Sequence, residues 1–126
     1  NGLELRPEWV CNGYFQAADA YSAVQTVLES GKRPTAVITT TDDMAVGAIN
    51  CLVDNGIRVP EDVSVTGFYD TALATLYRPK LTTVQHPIYD IGAIAIRLLI
   101  KKIDGQDIEE KHVRLPHGIV YRESSR

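Results

Sequence analysis

The sequence predicts an α/β fold with a mostly parallel, doubly wound sheet, and three observations support this. Residues 35–40 form a short run rich in β-branched side chains, which is typical of a strand. Apolar residues then recur at spacings of three and four from Ala45 to Val53, which indicates a helix, and a second strand pattern follows at 63–68. Because a helical crossover returns the chain in the same direction, these two strands are expected to run parallel.

The same alternation continues on both sides of this unit. Besides the central helix, which Asp42 is expected to cap and Gly56 to end, helices are predicted at 17–30, 71–77 and 88–104. The predicted strands are 11–15, 35–40, 63–68, 81–85, 108–115 and 118–122. This order places residues 1–126 in one α/β domain that is expected to be incomplete.

Composition and charge exclude several classes of protein. The chain has 126 residues and a formal net charge of −3, without a basic block, so it is not expected to bind nucleic acid by itself. It has no apolar run of membrane-spanning length and no N-terminal signal pattern. Cys11 and Cys51 lie far apart in sequence, so both are expected to be reduced, partly buried packing residues.

No cofactor, metal site or catalytic centre is predicted. The chain has none of the glycine-rich patterns of nucleotide-binding or hydrolase sites. His86, His112 and His117 lack the spacing of metal ligands. Asp42 and Asp43 are adjacent carboxylates, but no nucleophile or base motif accompanies them, so acid–base catalysis is the weaker interpretation.

Candidate binding residues follow three of the predicted strands, where ligands of open α/β sheets bind. They are Phe15 after the first strand, Asp42 after the second, and Tyr69 with Asp70 after the third. Aromatic faces with convergent polar groups suit sugars and other small ring or polyhydroxyl ligands. The alternative for Asp42 and Asp70 is that each only caps the helical segment that follows it.

The helix predicted at 88–104 has more apolar surface than one face of a sheet would cover. We expect it to pack against a second lobe, outside this chain, or against a partner subunit. Arg97 and Lys101 lie four residues apart on this helix, with Lys102 beside them. This basic face is either a solvated surface or a docking patch for an acidic or phosphorylated protein.

Three motifs give the sequence a family resemblance. TDDMAVGA begins at Thr41, VPEDVSVTGF at Val59 and RPKLTTV at Arg78. Together they resemble the effector-sensing domain of LacI/GalR-type bacterial transcriptional regulators, and the chain resembles most of its C-terminal lobe. The resemblance implies a cytoplasmic homodimer that is not an enzyme and responds to a small effector such as a sugar or sugar phosphate. It also implies that DNA is bound only by a helix-turn-helix outside this chain, and that the lobe's opening strand precedes Asn1.

The resemblance also assigns roles to individual residues. Phe15 matches an aromatic pocket residue and Asp42 a polar effector contact. Tyr69, next to Asp70, matches an effector contact that is frequently acidic in the family, so Tyr69 is a departure that argues against ordinary sugar recognition. The helix at 89–103 would pack on the other lobe. The implied dimer surface includes Val46, Leu76 and Tyr77.

Two alternatives stay open at this stage. The segment YDIGAIAIRLLIK resembles the catabolite-control subgroup, whose members respond to a serine-phosphorylated phosphocarrier protein. Asp90, Arg97 and Lys101 match its docking positions. The other alternative is a periplasmic sugar-binding protein, a class that shares the fold and a weaker form of the first motif. A helix-turn-helix or a signal peptide at the start of the whole protein would separate these classes.

Overall fold

The computed structural model describes residues 5–108, 110 and 112–126. The strands in this part of the chain are β1 Ala36–Ile38, β2 Ser64–Phe68, β3 Thr82–Gln85 and β4 Gly118–Val120. The α-helices are α1 Ala17–Glu29, α2 Asp42–Asp54, α3 Leu73–Leu76 and α4 Ile88–Ile103. A single 3-10 turn, Pro7–Trp9, precedes α1.

The four strands form one sheet in the order β1-β2-β3-β4. β1, β2 and β3 are parallel, with Val37 opposite Val65 and Thr66 opposite Thr82, whereas β4 pairs antiparallel with β3. The predicted α/β class and the mostly parallel sheet are therefore confirmed. Because β1, β2 and β3 share one direction, their carboxyl ends lie along one side of the sheet, which we call the strand-end edge.

The hydrophobic core lies where α2 covers the sheet. Its largest fully buried apolar side chains include Ile49, Leu52, Val63, Val65 and Leu81. Helix α1 packs across α2, and Gly47 permits this approach because a Cβ at that position would collide with the carbonyl group of Ala17. Helix α2 is thus fixed between α1 and the sheet, and its N-terminus is held at the strand-end edge.

The C-terminal tail is tied into this lobe by hydrogen bonds. Ser124 is fully buried, and its Oγ donates to the carbonyl oxygen of Val65 at 2.6 Å. The same Oγ accepts from the N–H of Thr82 at 2.8 Å, so one hydroxyl bridges β2 and β3. The tail therefore brings Arg122, two residues earlier, against the sheet.

Two predicted strands are absent from the part of the chain that the structure describes. Residues 11–15 form a turn, because the side chain of Asn12 accepts from the N–H of Tyr14 at 3.1 Å, and Tyr14 and Phe15 adopt positive φ angles of 45° and 60°. No strand is present in the described part of 108–115, where Val113 and Leu115 line a cavity beneath α4. Glu109 and Lys111, which belong to that predicted strand, lie outside the described residues.

Two smaller predictions are also corrected. The N-cap of α2 is Thr41, whose side chain accepts from the N–H of Met44 at 3.2 Å, and Asp42 is the first helical residue. Cys11 and Cys51 are both free, as expected, but Cys11 is exposed and only Cys51 is buried. Burial raises the pKa of the Cys51 thiol.

Helix α4 extends away from the other elements. Among the described residues, none of its side chains is buried, and it has no extensive contact with the other helices and strands. Ile94 and Leu98 are half-buried and line a cavity of about 420 Å³. Within the described ranges, no helix is both long and apolar enough to cross a membrane. The excess apolar surface predicted for this helix is confirmed.

Candidate functional site

The strand-end edge is formed by the segments that follow β1, β2 and β3. Thr39–Asp42 leads from β1 into α2, Tyr69–Thr71 follows β2, and His86 follows β3. Hydrogen bonds join the first two segments to each other and to β3, since Asp42 accepts from Thr71 and from Thr83 of β3. The predicted Asp42, Tyr69 and Asp70 are therefore brought to one place by the parallel sheet.

Asp42 is the buried centre of this junction. It has no exposed surface, although it carries a carboxylate. Its Oδ2 accepts from the N–H of Thr71 at 2.6 Å and from the Thr71 hydroxyl at 2.9 Å, and its Oδ1 accepts from the Thr83 hydroxyl at 2.6 Å. Gly67 leaves room for it, because a Cβ there would collide with the carboxylate.

These contacts correct the role predicted for Asp42. An effector contact needs an accessible oxygen, whereas both carboxylate oxygens are enclosed and used within the lobe. Asp42 instead holds the segment after β2 against α2 and β3, and its position in the first turn of α2 places its charge at the positive end of the helix dipole. Asp43, the next residue, is exposed.

Tyr69 and Asp70 form a two-residue left-handed turn. Their φ angles are 104° and 54°, a region that costs a non-glycine residue about 1–3 kcal/mol each. Asp70 is held by Arg122, whose Nη2 lies 2.7 Å from its Oδ1, and by Gln85, whose Nε2 donates to its Oδ2 at 3.0 Å. The Tyr69 N–H donates to the carbonyl oxygen of Val84 at 2.9 Å.

The side chain of Tyr69 belongs to a cluster of three rings. Its centroid lies 5.1 Å from that of Phe68 and 5.0 Å from that of His86, and Phe68 and His86 are 5.7 Å apart. Tyr69 is 39% exposed, so part of its ring is open to a ligand. The Nδ1 of His86 is enclosed and has no hydrogen-bond partner among the described residues.

Phe15 lies on the loop before α1, at the same side of the sheet. Gly13 of this loop packs against the Met44 side chain in the first turn of α2, which fixes the loop near the strand-end edge. Phe15 itself is 65% exposed. The open groups among the predicted effector contacts are therefore aromatic, Phe15 and Tyr69, whereas the carboxylates of Asp42 and Asp70 are engaged inside the lobe.

The other predicted residues lie away from this edge or on α4. Val46 of α2 is half-buried, Leu76 at the end of α3 is 75% exposed, and Tyr77 packs against the core while its hydroxyl donates to the Asn50 side chain. Burial raises the pKa of the Tyr77 hydroxyl. On α4, the side chains predicted for protein docking, Asp90, Arg97 and Lys101, are all exposed.

Sequence reasoning missed four residues of the site: Thr71, Thr83, His86 and Arg122. Thr83 and Arg122 gave no signal, because threonine in a strand and arginine near a terminus are ordinary. His86 gave no signal because it lacks the spacing of a metal ligand, and within the described ranges no group of three metal-binding side chains is present. The site offers ring faces and hydrogen-bonding groups to a ligand, without a reactive group placed for chemistry.

Comparisons with known proteins identify the family of this fold. A family model described as periplasmic binding protein-like domain matches residues 1–125. Catabolite control protein A of Priestia megaterium is 40% identical over 126 residues, which are 100% of this chain and 38% of that protein. This chain thus spans less than half the length of the curated relatives that it matches.

Two solved structures extend the comparison. Transcription regulator CcpA of Lactococcus lactis has a TM-score of 0.88 and 31% identity, and the match covers 98% of this chain and 45% of that one. The transcriptional regulator CelR in a cellobiose complex has a TM-score of 0.91 and 32% identity, covering 98% of this chain and 38% of that one. Both solved structures are of transcription regulators, and the family resemblance predicted from the motifs is confirmed.

Proposed function

The chain belongs to the periplasmic-binding-protein-like domain family, and we propose that it is the C-terminal effector-sensing lobe of a cytoplasmic, LacI-type transcriptional regulator. In this proposal the chain catalyses no reaction. An effector bound at the strand-end edge, between this lobe and a second one, favours one closure state of the two lobes. The closure state then biases a DNA-binding segment that lies outside this chain.

The proposal rests on one observation at the strand-end edge: exposed aromatic rings lie on backbone that buried hydrogen bonds and an ion pair hold in place. Phe15 and Tyr69 supply exposed ring faces, while Asp42 and Asp70 fix the backbone that presents them. A small sugar or sugar phosphate fits this edge, because ring faces pack on the apolar faces of sugars. The relative with cellobiose in its structure supports the same class of effector.

The full-length protein is further proposed to act as a homodimer. Val46, Leu76 and Tyr77 are the proposed contact residues, and Leu76 is the most available of them because 75% of its surface is exposed in this lobe. Together with the neighbouring Tyr77, this leucine supplies apolar and aromatic surface of the kind that subunit interfaces bury. Replacing Leu76 with Asp is expected to convert the dimer to a monomer, as measured by light scattering.

A second candidate is regulation by a serine-phosphorylated phosphocarrier protein that docks on α4. The favouring observation is that Asp90, Arg97 and Lys101 are exposed on a helix whose side chains are not buried by this lobe. Two basic side chains four residues apart on a helix lie on the same face and can both bind a phosphate group. The name of the catabolite control relatives supports this candidate, which is an additional input to the same lobe.

The test is a calorimetric titration of the full-length protein with cellobiose, glucose 6-phosphate and the serine-phosphorylated phosphocarrier protein. Binding of a sugar that weakens at least tenfold in Tyr69→Ala supports the effector site. The matched control is Tyr121→Ala, since Tyr121 is 77% exposed beyond the far end of β4. Binding of the phosphoprotein that is lost in Arg97→Glu supports the second candidate, and no binding of any of these would contradict both.

A further inference from the structure

Two asparagines in the described part of the chain are followed directly by glycine, at Asn12–Gly13 and at Asn55–Gly56. Such a pair can lose ammonia, because glycine has no side chain to keep its backbone nitrogen away from the asparagine carboxamide. The glycine nitrogen attacks the carboxamide carbon, and a five-membered succinimide ring forms. Both asparagines are exposed, so the hydrogen bonds around each carboxamide, rather than its burial, decide whether the reaction occurs.

The carboxamide of Asn12 is arranged for this attack. Its Oδ1 accepts a hydrogen bond from the N–H of Tyr14 at 3.1 Å, which folds the side chain back over the peptide of Gly13. Negative charge develops on the same oxygen when the carbon is attacked, so the Tyr14 N–H stabilises the transition state. Within the described residues, neither the Gly13 N–H nor the Nδ2 of Asn12 makes a hydrogen bond that the reaction would have to break.

The carboxamide of Asn55 has the opposite environment. Its Nδ2, which would have to leave as ammonia, donates to the Oε1 of Gln25 at 2.9 Å and to the carbonyl oxygen of Cys51 at 2.8 Å. The N–H of Gly56, the attacking group, donates to the carbonyl oxygen of Val53 at 2.9 Å. Because three hydrogen bonds must open first, ring closure is expected to be about 100-fold slower than at an unrestrained pair.

We propose that Asn12 is a self-modification site, at which the folded protein converts this asparagine to aspartate or isoaspartate. The nitrogen of Gly13 forms a bond to the Cγ of Asn12 and loses its proton to a solvent base. The bond between Cγ and Nδ2 breaks, and ammonia leaves. Water then opens the ring, giving aspartate when the new bond to Cγ is cleaved and isoaspartate when the original backbone bond is cleaved.

The modification changes the loop that carries Phe15. An aspartate keeps the oxygen that accepts from Tyr14, so the turn is retained and one negative charge is added. Isoaspartate instead inserts one extra carbon into the backbone directly before Gly13, which packs against the side chain of Met44. The isoaspartyl form is therefore expected to displace Phe15, the exposed ring at the strand-end edge.

The consequence for an effector rests on the proposed function. A negative charge three residues before Phe15 repels an anionic effector and leaves a neutral one unaffected. Asn12→Asp, which reproduces the aspartate form, is therefore expected to weaken binding of glucose 6-phosphate about threefold. Binding of cellobiose is expected to stay the same, and an equal change for both sugars would contradict this consequence.

The test is to incubate the full-length protein, folded and in urea, and to follow both asparagines by peptide mass spectrometry. Conversion changes the mass of a peptide by the difference between an amide and an acid, and electron-transfer fragmentation identifies the isoaspartyl linkage. In the folded protein, Asn12 is expected to react at least about tenfold faster than Asn55. In urea the turn and the helix are lost, so the two rates are expected to approach each other.

A rate ratio below about tenfold in the folded protein would overturn the proposal. The same ratio in urea as in the folded protein would also overturn it, because the local sequence and not the fold would then set the rates. Asn12→Gln is the matched control, since its longer side chain cannot close a five-membered ring. It is expected to abolish conversion at this position and to leave Asn55 unchanged.

These rate measurements need no effector, which keeps the modification separate from the proposed function. Failure of both cellobiose and glucose 6-phosphate to bind would contradict the proposed function while the two rates stayed as described. A rate at Asn12 no higher than that at Asn55 would overturn the modification site whatever the titration gave.

Discussion

Replacement of Asp42 by Ala tests whether the buried carboxylate is the centre of the strand-end junction. The substitution leaves the Thr83 hydroxyl without its partner, and Thr83 is only 1% exposed. It also frees the N–H and the hydroxyl of Thr71, which is exposed and reaches water. The buried hydroxyl of Thr83 cannot replace its hydrogen bond with water, so its loss is expected to destabilise the fold more than either hydrogen bond of Thr71.

The magnitude follows from these three hydrogen bonds. A buried donor left unpaired costs about 1–3 kcal/mol, and each of the two hydrogen bonds that Thr71 can exchange for water costs about 1 kcal/mol. The expected loss for Asp42→Ala is therefore about 4 kcal/mol, or a melting temperature about 15 °C lower for a chain of this size. Asp42→Asn keeps the shape and one accepting oxygen, so it is expected to cost about 1–2 kcal/mol.

The assay is urea unfolding at neutral pH, followed by circular dichroism, with Asp43→Ala as the control. Asp43 precedes Met44 in the same first turn of α2 but is exposed, so its loss removes only a dipole interaction of about 0.3–1 kcal/mol. Equal losses for Asp42→Ala and Asp43→Ala would refute the reasoning. A gain in stability for Asp42→Ala would show that the cost of burying the charge exceeds its hydrogen bonds.

Two further predictions concern packing and pH. Gly47→Ala is expected to cost more than 2 kcal/mol, because the new Cβ meets the backbone of Ala17, whereas Gly92→Ala on open α4 is expected to gain about 0.5–1 kcal/mol in thermal unfolding. Hydrogen bonds from Arg58 hold the pKa of Asp62 below its ordinary value of 3.8, so the stability that the ionised Asp62 contributes is present above that pH and is lost as the pH falls. Asp62→Asn is therefore expected to make the urea midpoint depend less on pH between about pH 5 and about pH 2.

The regular elements were predictable because they are encoded locally. The helical spacing of apolar residues predicted α2 and α4 to within a residue or two, and the runs of β-branched residues predicted β1, β2 and β3. The strand predicted at 11–15 is absent for a local reason as well. The side chain of Asn12 competes for the backbone and turns residues 11–15, although their composition is that of a strand.

The hydrogen bonds and the ion pair of the site were not predictable, since they join residues far apart in sequence. Asp42 was recognised as a polar residue at a strand end, yet its burial follows from Thr71 and Thr83, which lie 29 and 41 residues away. Arg122 reaches Asp70 only because the tail is clamped by Ser124. Such contacts arise from the topology of the sheet, and no local pattern of residues predicts them.

The internal use of Asp42 and Asp70 has a consequence for effector recognition. A carboxylate that faces a ligand accepts hydrogen bonds from its hydroxyl groups, but in this lobe Asp42 is enclosed and Asp70 is paired with Arg122. Of the predicted effector contacts, those that remain open at this edge are the partly exposed ring of Tyr69 and the exposed ring of Phe15. We therefore expect this lobe to contribute stacking, and the hydroxyl or phosphate contacts of an effector to come mainly from protein outside this chain. Selectivity among sugars with similar faces would then be set by the other lobe.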